Sequence, residues 1–163
     1  MKNVGNSFRV GFGFVLAGCL TFYSFNATSS QDGSLSIVPS HEHKLAQTQH
    51  LKGPTKTIGI GSVNLLGVIG LEKDFPTLKG RQLRARELLI EPGGVVAVHQ
   101  HDTRPGVAYI LEGEIIEHRN DSNAPIVRGI GSVAFEQSGV AHWWENKSGK
   151  PVRALVVDII KVK

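Results

Sequence analysis

Short apolar or alternating segments recur along the last two thirds of the chain, and each has the length of a β-strand. Where apolar and polar residues alternate, the period of two is typical of strands that are buried on one face. The segments are 63–69, 83–90, 95–101, 107–111, 114–119, 132–135, 141–146 and 152–160. The pattern therefore predicts a domain of short strands, with no helix between Thr57 and Lys163.

Turn-forming residues separate these strands. Glycine and proline lie together at Pro92-Gly93-Gly94 and at Arg104-Pro105-Gly106, and Asn, Asp and Ser lie together in 120–125. Many short strands joined by tight turns predict an all-β domain, either a sandwich or a closed barrel. The pattern alone leaves both architectures open.

The start of the chain has a different pattern. Lys2 and Arg9 precede 22 residues without charge, which end at Asp32, and this layout is typical of an export signal. Three interpretations stay open: a lipoprotein signal with lipidation at Cys19, a signal cleaved near Ala27, and an uncleaved membrane anchor. All three place the protein outside the cytoplasm, either in the periplasm or anchored in the cell envelope.

Residues 28–57 are rich in Ser, Gln, His and Lys and show no sustained apolar period, which predicts a mobile linker. We expect its histidines, His41, His43 and His50, to be solvated, although a metal-scavenging role is an alternative. The predicted organisation is an export segment at 1–27, a flexible linker at 28–57 and a barrel domain at 58–163.

Length, charge and cysteine content narrow the class of protein. The 163 residues fit one domain of ordinary size. The formal net charge is +4, but Lys and Arg are scattered singly, so nucleic-acid binding is not expected. Because Cys19 is the only cysteine, no intramolecular disulfide can form and the barrel domain carries no thiol.

Three histidines are the candidate functional residues. His99 and His101 are two residues apart in one predicted strand, so both side chains point to the same face. His142 lies in another strand about forty residues later. Three neutral imidazoles would suit a transition metal and leave coordination positions open. Taken singly, each histidine is more often a hydrogen-bonded core residue, and that alternative stays open.

The spacing of these histidines resembles two motifs of the cupin family. The first motif, G-x5-H-x-H-x(3,4)-E-x6-G, is matched within PGGVVAVHQHDTRPGVAYILEGE by Gly93, His99, His101 and Gly113. The second motif, G-x5-P-x-G-x2-H-x3-N, is matched within GSVAFEQSGVAHWWEN by Gly131, Gly139, His142 and Asn146. The resemblance covers about residues 83–160. It implies a double-stranded β-helix, a compact barrel whose motif histidines bind a metal near its mouth.

The chain departs from the family pattern at two positions. Gly106 stands where the first motif has its glutamate, and Gln137 stands where the second has its proline. Losing an anionic ligand should weaken the binding of hard divalent ions. Thiol dioxygenases, which are cupin relatives, hold iron with three histidines and no carboxylate, so the resemblance implies that such a centre can function. The alternatives are a carboxylate from Glu87 or Glu114, and a vestigial site.

Strand alternation also predicts the surroundings of the histidines. It places Ala97, Ala108, Ile110 and Trp144 on the inward face, as candidates for lining a pocket. A largely apolar pocket suits a small organic molecule better than a strongly polar sugar. We expect Arg104 either to steer a carboxylate to the mouth or to be solvated in its loop.

These observations predict an exported barrel protein that binds a divalent transition metal through its three histidines. Iron is placed ahead of zinc, manganese, nickel and copper, and oxygenase chemistry ahead of a lyase or an isomerase. The alternatives are a non-enzymatic barrel that binds a ligand or metal, and a barrel with a vestigial site. The expected partners are a small organic molecule, the membrane through the first segment only, and a second copy of the chain. No catalytic residue is identified.

Overall fold

The strands form a nearly closed antiparallel barrel in the computed structural model, which describes residues 36–162. They are β1 (Ile58–Gly70), β2 (Arg81–Gln100), β3 (Gly106–Glu112), β4 (Glu114–Arg119), β5 (Ile126–Gly129), β6 (Val133–Glu136), β7 (Ala141–Glu145) and β8 (Val152–Lys161). The hydrogen-bonded order is β5-β4-β7-β2-β8-β3-β6, and β1 pairs with β2. The all-β fold expected from the sequence is confirmed.

Strand β2 is one long strand where the sequence pattern predicts two. Its first half lies between β1 and β8, and its second half pairs with β7. The chain passes from one pairing to the other at Gly93, whose φ of 76° is in the left-handed region that favours glycine. The backbone N–H of Gly93 donates to the carbonyl of Asn146 there, at 2.8 Å. The second half of β2 therefore carries His99 into the barrel beside β7.

The barrel interior is filled by alternate residues of the strands. In β8, Val152, Ala154 and Val156 are buried while the residues between them are partly exposed. Together with Ile110 and Trp144 they belong to one hydrophobic cluster that also includes residues of β2, β4 and β6. Burying such side chains is the main favourable term in folding. This packed end of the barrel supports the histidines at the other end.

Strand β5 has no counterpart in the sequence prediction. It spans only Ile126–Gly129 and pairs with one edge of β4. None of its four residues is buried, so its sequence shows no alternation of buried and exposed positions. The strand is therefore defined by its pairing with β4 rather than by a local signal.

The structure also revises the expectation of a mobile linker for residues 36–57. Helix α1 (Ser40–Ala46) packs on the outside of the barrel, where Ala46 is fully buried in a cluster with Val98 and Ala141. A helix of seven residues is unstable alone, so its stability comes from this packing and leaves no periodic signal in the sequence. The remaining expectations for the linker and for the export segment 1–27, including Cys19, lie outside the described residues.

Within residues 36–162, no helix is both long enough and apolar enough to cross a membrane. The predictions of lipidation, cleavage or anchoring rest on the sequence alone.

Gly106 is packed too closely to accept a side chain. A Cβ atom at this position would lie 2.7 Å from the carbonyl oxygen of Val157 and 2.9 Å from the Cβ of Asp158. We expect Gly106→Ala to lower the free energy of unfolding by about 1–3 kcal/mol, as for overpacked cores. Urea denaturation measures this. Gly129→Ala is the control, because nothing lies within 4 Å of its added Cβ; equal effects of the two substitutions would contradict the packing argument.

Candidate metal centre

The three motif histidines meet inside the barrel. His99 on β2 and His142 on β7 are partners in the strand register, and His101 follows His99 by two residues. Nε2 of His142 lies 2.9 Å from Nε2 of His101 and 3.1 Å from Nε2 of His99. All three rings are buried, with at most 4% of the residue exposed. They are the one group of three or more metal-ligand side chains within residues 36–162 whose ligand atoms converge.

The other ring nitrogens fix where the hydrogens lie. Each Nδ1 is within hydrogen-bond distance of an oxygen that can only accept: Ala97 O at 2.8 Å for His99, and Arg104 O at 3.0 Å for His101. Nδ1 of His142 is 2.8 Å from a carboxylate oxygen of Glu117. A neutral ring with its hydrogen on Nδ1 has a free lone pair on Nε2. The Nε2 lone pair of His142 therefore faces those of His99 and His101 at contact distance.

The facing Nε2 lone pairs repel one another unless a cation lies between the nitrogens. Burial, followed by the repulsion that a protonated His142 would add, keeps the pKa of both His99 and His101 well below the ordinary value. Those two rings are therefore neutral at pH 7 and are free to act as metal ligands. Lowered pKa values also mean that protons compete less with a metal as the pH falls below about 6.5.

The nitrogen separations fit a metal centre. Bonds of about 2.0–2.1 Å that meet at right angles put neighbouring nitrogens about 3.0 Å apart, close to the separations of 2.9 and 3.1 Å between the Nε2 atoms. Two of the three separations therefore suit neighbouring positions around one metal, and three nitrogen ligands would leave further positions open for water or ligand.

Glu117 is the residue that orients His142. Its side chain is fully buried, and it is also bound by Arg119 at 3.1 Å and by Arg128 at 2.8 Å. Burial alone would raise its pKa, but the hydrogen bond with His142 and the neighbouring arginines lower the pKa of Glu117 to about 2. An ionised carboxylate behind a metal-ligating histidine fixes the ring and strengthens the ligand. Sequence reasoning missed this residue, because only the register of β4 against β7 brings it behind His142.

Replacing Glu117 should weaken metal binding without removing a ligand. We expect Glu117→Gln to lower the affinity for a divalent metal about tenfold, since loss of a partner behind a ligand histidine costs 10- to 100-fold. Metal titration calorimetry measures the change. Glu145→Gln is the matched control, because Glu145 binds His118, which is outside the cluster, at 2.8 Å. A tenfold loss in both variants would contradict the assignment.

Glu117→Gln should also change how the stability of the protein depends on pH. Because the pKa of Glu117 is lowered to about 2 from its ordinary value of 4.5, its contribution to stability is present above about pH 4.5. That contribution is lost as the pH falls toward 2. Between these limits, Glu117→Gln should lose less stability on acidification than the wild type.

Within residues 36–162, the ligand group consists of the three histidines and contains no carboxylate. The two carboxylates named from the sequence do not reach the site. Glu114 is exposed and Glu87 lies 3.9 Å from Arg153, and neither lines the cavity. The carboxylate beside the cluster is Glu136, whose Oε2 is 3.5 Å from Nδ1 of His101.

Glu136 reaches the site from the neighbouring strand, because it is the direct register partner of Gly106 between β6 and β3. It lines the cavity and is 5% exposed, and burial raises its pKa. An inward charged residue at the end of a four-residue strand leaves no pattern in the sequence, so sequence reasoning missed it.

A small cavity of about 20 Å³ opens beside the histidines. Its lining residues are Ile37, Arg86, Leu88, Val96, His99, His101, Arg104, Glu136, His142, Trp144 and Val156. About 10–15 Å³ of such space holds one water molecule, so the cavity accommodates one or two small groups as it stands. Ile37, which comes from the segment before α1, lies at this cavity.

Of the four pocket candidates, the cavity is lined by Trp144 alone. Ala108 and Ile110 are fully buried but lie in the hydrophobic cluster deeper in the barrel. Ala97 is buried but does not line the cavity, and Val96 lines it instead. The reason is a register irregularity between Val96 and His99, which breaks the strict alternation on which the expectation depended.

Arg104 is neither solvated nor free to steer a ligand, which corrects both expectations. It is 5% exposed, with its guanidinium 2.7 and 2.8 Å from the carboxylate of Glu42 on α1 and 2.8 Å from Asp158 on β8. Burial would lower its pKa, but the hydrogen bonds with Glu42 and Asp158 raise it. Arg104 therefore ties the segment before β1 to the barrel.

Comparison with known proteins identifies the family of this chain. A family model described as Cupin domain matches residues 86–158. A relative named oxalate-binding protein, from Thermotoga maritima, is 31% identical over 130 residues, which is 80% of this chain and 98% of the relative.

Two solved structures are alike in fold. A predicted oxalate decarboxylase from Thermotoga maritima is 22% identical over 64% of this chain and 98% of that chain, with a TM-score of 0.42. A cupin domain of an XRE family transcriptional regulator from Enterobacter cloacae is 14% identical over 65% of this chain and 100% of that chain, with a TM-score of 0.46.

Fold and site together define a small antiparallel barrel with a buried cluster of three histidines at one end. The chain belongs to the cupin family, as the identity of 31% across 80% of its length shows.

Proposed function

We propose that this cupin binds one divalent transition metal through His99, His101 and His142 and that the centre captures a small organic molecule, a carboxylate foremost. The observation that carries the proposal is the position of Nε2 of His142, which lies 2.9 Å from Nε2 of His101 and 3.1 Å from Nε2 of His99, with all three ligand nitrogens within 4.8 Å of one another. A bound metal would supply a Lewis-acid position for a ligand oxygen. The protein supplies the rigid nitrogen set and a cavity that excludes bulk water.

Support for a carboxylate comes from charge and from one relative. Two guanidinium groups, those of Arg86 and Arg104, border the cavity. A divalent ion on three neutral imidazoles would add two further positive charges, which favours an anionic ligand. The Thermotoga maritima relative is named as an oxalate-binding protein, and oxalate is therefore the first carboxylate to test.

The test is a metal and ligand titration of the purified chain. Metal-free protein is mixed with Fe(II) under anaerobic conditions, or with Zn, Mn, Ni or Cu, and the unfolding temperature and metal content are measured. A metal at 100 times its Kd should stabilise the protein by about 2.7 kcal/mol. We propose iron as the native metal, which elemental analysis of protein from its own host would check. No bound metal under any condition would end the proposal.

Oxygenase chemistry is a second candidate. With three protein nitrogens and no ligating carboxylate in the cluster, a six-coordinate metal has positions open for both oxygen and a substrate. Iron-loaded protein would be exposed to oxygen in the presence of a panel of small carboxylates and thiols. Oxygen uptake that requires one of these molecules supports an oxygenase. A ligand that binds reversibly and is returned unchanged supports a binding protein.

We also propose that the chain is exported, on the evidence of the uncharged segment between Arg9 and Asp32 and of Cys19 in Leu16-Ala17-Gly18-Cys19. Mass spectrometry of the mature amino terminus distinguishes the alternatives. A diacylated Cys19 gives a large added mass, cleavage near Ala27 gives a shorter chain without it, and an anchor leaves the segment in place.

A homodimer is proposed through the outward face of β3, β6 and β8. In one cross-strand row, Val157, Val107 and Phe135 lie side by side, and Tyr109 follows two residues after Val107. Phe135 is 62% exposed and Tyr109 40% exposed. Pairing this face with a second copy would cover both aromatic side chains around a two-fold axis. Sedimentation of the full chain and of its Phe135→Ser variant measures the oligomeric state. A monomeric wild type would contradict the proposed homodimer.

A further inference from the structure

Three buried polar atoms without a hydrogen-bond partner among residues 36–162 belong to side chains that line the histidine cavity. They are Nε of Arg86, Nε1 of Trp144 and Oε2 of Glu136. Leaving such an atom unpartnered costs about 1–3 kcal/mol, and folded proteins keep few of them. Three around a single cavity of about 20 Å³ indicate a polar group that enters it.

Two of the three atoms can only donate a hydrogen bond. The indole Nε1–H of Trp144 and the guanidinium Nε–H of Arg86 have no accepting capacity. The other nitrogens of Arg86 are already engaged, by Ser36 O at 3.0 Å and by Asp158 at 3.1 Å. A group that satisfies both free donors must therefore present two acceptor lone pairs, and a carboxylate offers these with a negative charge.

Trp144 is also close enough to the centre for one ligand to reach both. Its ring meets that of His142 edge to face, with the centroids 5.9 Å apart. Both side chains come from β7 and are two residues apart, so they point to the same face. A carboxylate with one oxygen at the histidine cluster is thus placed to direct its other oxygen to Trp144, and Arg86 lines the same cavity.

The charges of the surrounding groups favour an anion of low charge. Three guanidinium groups, those of Arg84, Arg86 and Arg104, share the carboxylate of Asp158, and Glu42 binds Arg104. With Glu136 the carboxylates equal the guanidinium groups in number, so a divalent ion would leave this buried region positive. A small carboxylate would offset that charge.

We propose that Trp144 and Arg86 form the carboxylate-recognition part of the site, for acids of two or three carbons. The inference rests on the proposed function for the position of the metal, and it adds the residues that select the ligand. The small volume of the cavity sets the size limit. Trp144 is a specificity residue, and its N–H is needed for the ligand but not for the metal.

The test compares two neighbouring tryptophans. Trp144→Phe removes the N–H and keeps a similar ring. Trp143→Phe is the matched control, because Nε1 of Trp143 is also buried without a partner, but its ring stacks on His118 at 3.7 Å and does not line the cavity. Calorimetry with oxalate, acetate and the uncharged analogue acetamide is carried out on metal-free and Zn-loaded full-length protein.

We expect Trp144→Phe to weaken carboxylate binding about tenfold, the effect of one hydrogen bond to a charged group. Its metal affinity should stay close to the wild-type value, although the smaller ring in the hydrophobic cluster should lower its urea midpoint, and Trp143→Phe should bind carboxylates normally. Acetamide should bind more weakly than acetate. Equal carboxylate affinities of the two variants would overturn the inference.

Failure of the inference can be distinguished from failure of the proposed function. A wild type that binds Zn but no carboxylate overturns the recognition site and leaves the metal centre standing. A wild type that binds no metal ends the proposed function. In that case the titrations of metal-free protein with carboxylates test the recognition site by themselves. Carboxylate binding that is lost in Trp144→Phe but kept in Trp143→Phe would still support the recognition site. Carboxylate binding that is unchanged in Trp144→Phe would overturn it.

Discussion

His142→Ala is expected to lower the affinity for a divalent metal on the order of 100- to 1000-fold. Four-ligand zinc sites have binding free energies of about 10–16 kcal/mol, or roughly 3 kcal/mol per ligand. His142 is also the ring whose Nε2 lies nearest to both others, at 2.9 and 3.1 Å. Removing it leaves His99 and His101, which are two residues apart in the chain, as the only remaining ligands of the cluster. Metal titration calorimetry and metal analysis measure the loss.

His118→Ala is the matched control for this experiment. His118 lies on β4, stacks on Trp143 and binds Glu145, and it does not belong to the cluster. Its replacement should leave metal affinity within about twofold. If His142→Ala bound metal as tightly as the wild type, the ion would be held elsewhere in the chain. Within the described residues near α1, His43 is already engaged, with Nδ1 2.6 Å from the carbonyl of Val98.

The histidine cluster could be predicted from the sequence because its determinants are local. A two-residue spacing sends His99 and His101 to the same face of a strand, whatever the rest of the fold. His142 needed the second motif, because only the register between β2 and β7 makes it the partner of His99. Strand positions were similarly accessible, except for β5, none of whose four residues is buried.

The groups around the cluster could not be predicted, because their partners are distant in sequence. Arg84 and Asp158 are 74 residues apart and meet only through the pairing of β2 with β8. Alternation identifies such positions as inward, but the ordinary expectation for an inward position is an apolar residue. The contact of Glu42 with Arg104 is even harder to predict from the sequence. Glu42 reaches Arg104 from a helix that is stable only when it packs on the barrel.

These distant charges link the site to the stability of the barrel. Arg104 lines the cavity and at the same time holds Glu42 of α1 and Asp158 of β8. Arg86 likewise borders the cavity and binds Asp158. One carboxylate therefore positions two side chains of the candidate site. A change at Asp158 should affect both folding and ligand binding, whereas a change at His142 should chiefly affect the metal.

Asp158→Asn is expected to have the largest effect on stability. The Asp158 carboxylate is fully buried and accepts hydrogen bonds from Arg84 at 2.8 and 3.0 Å, from Arg86 at 3.1 Å and from Arg104 at 2.8 Å. Breaking a buried charge pair by removing one partner costs about 3–5 kcal/mol, because the other charge stays buried and uncompensated. For a chain of this length, that corresponds to a fall in Tm of roughly 10 °C.

Asp121→Asn is the control that separates burial from ion pairing as such. Asp121 also binds an arginine, Arg119, at 2.8 Å, but its side chain is 45% exposed, so its loss should cost less than about 1 kcal/mol. Acid titration adds a second readout. Burial opposes ionisation of Asp158, but the arginines, Arg84 foremost, lower its pKa. Its stabilising contribution is thus present above its ordinary pKa and is lost as the pH falls below it. Asp158→Asn should lack that acid-dependent loss, and equal urea midpoints for the two variants at pH 7 would show that the buried arginines do not depend on this carboxylate.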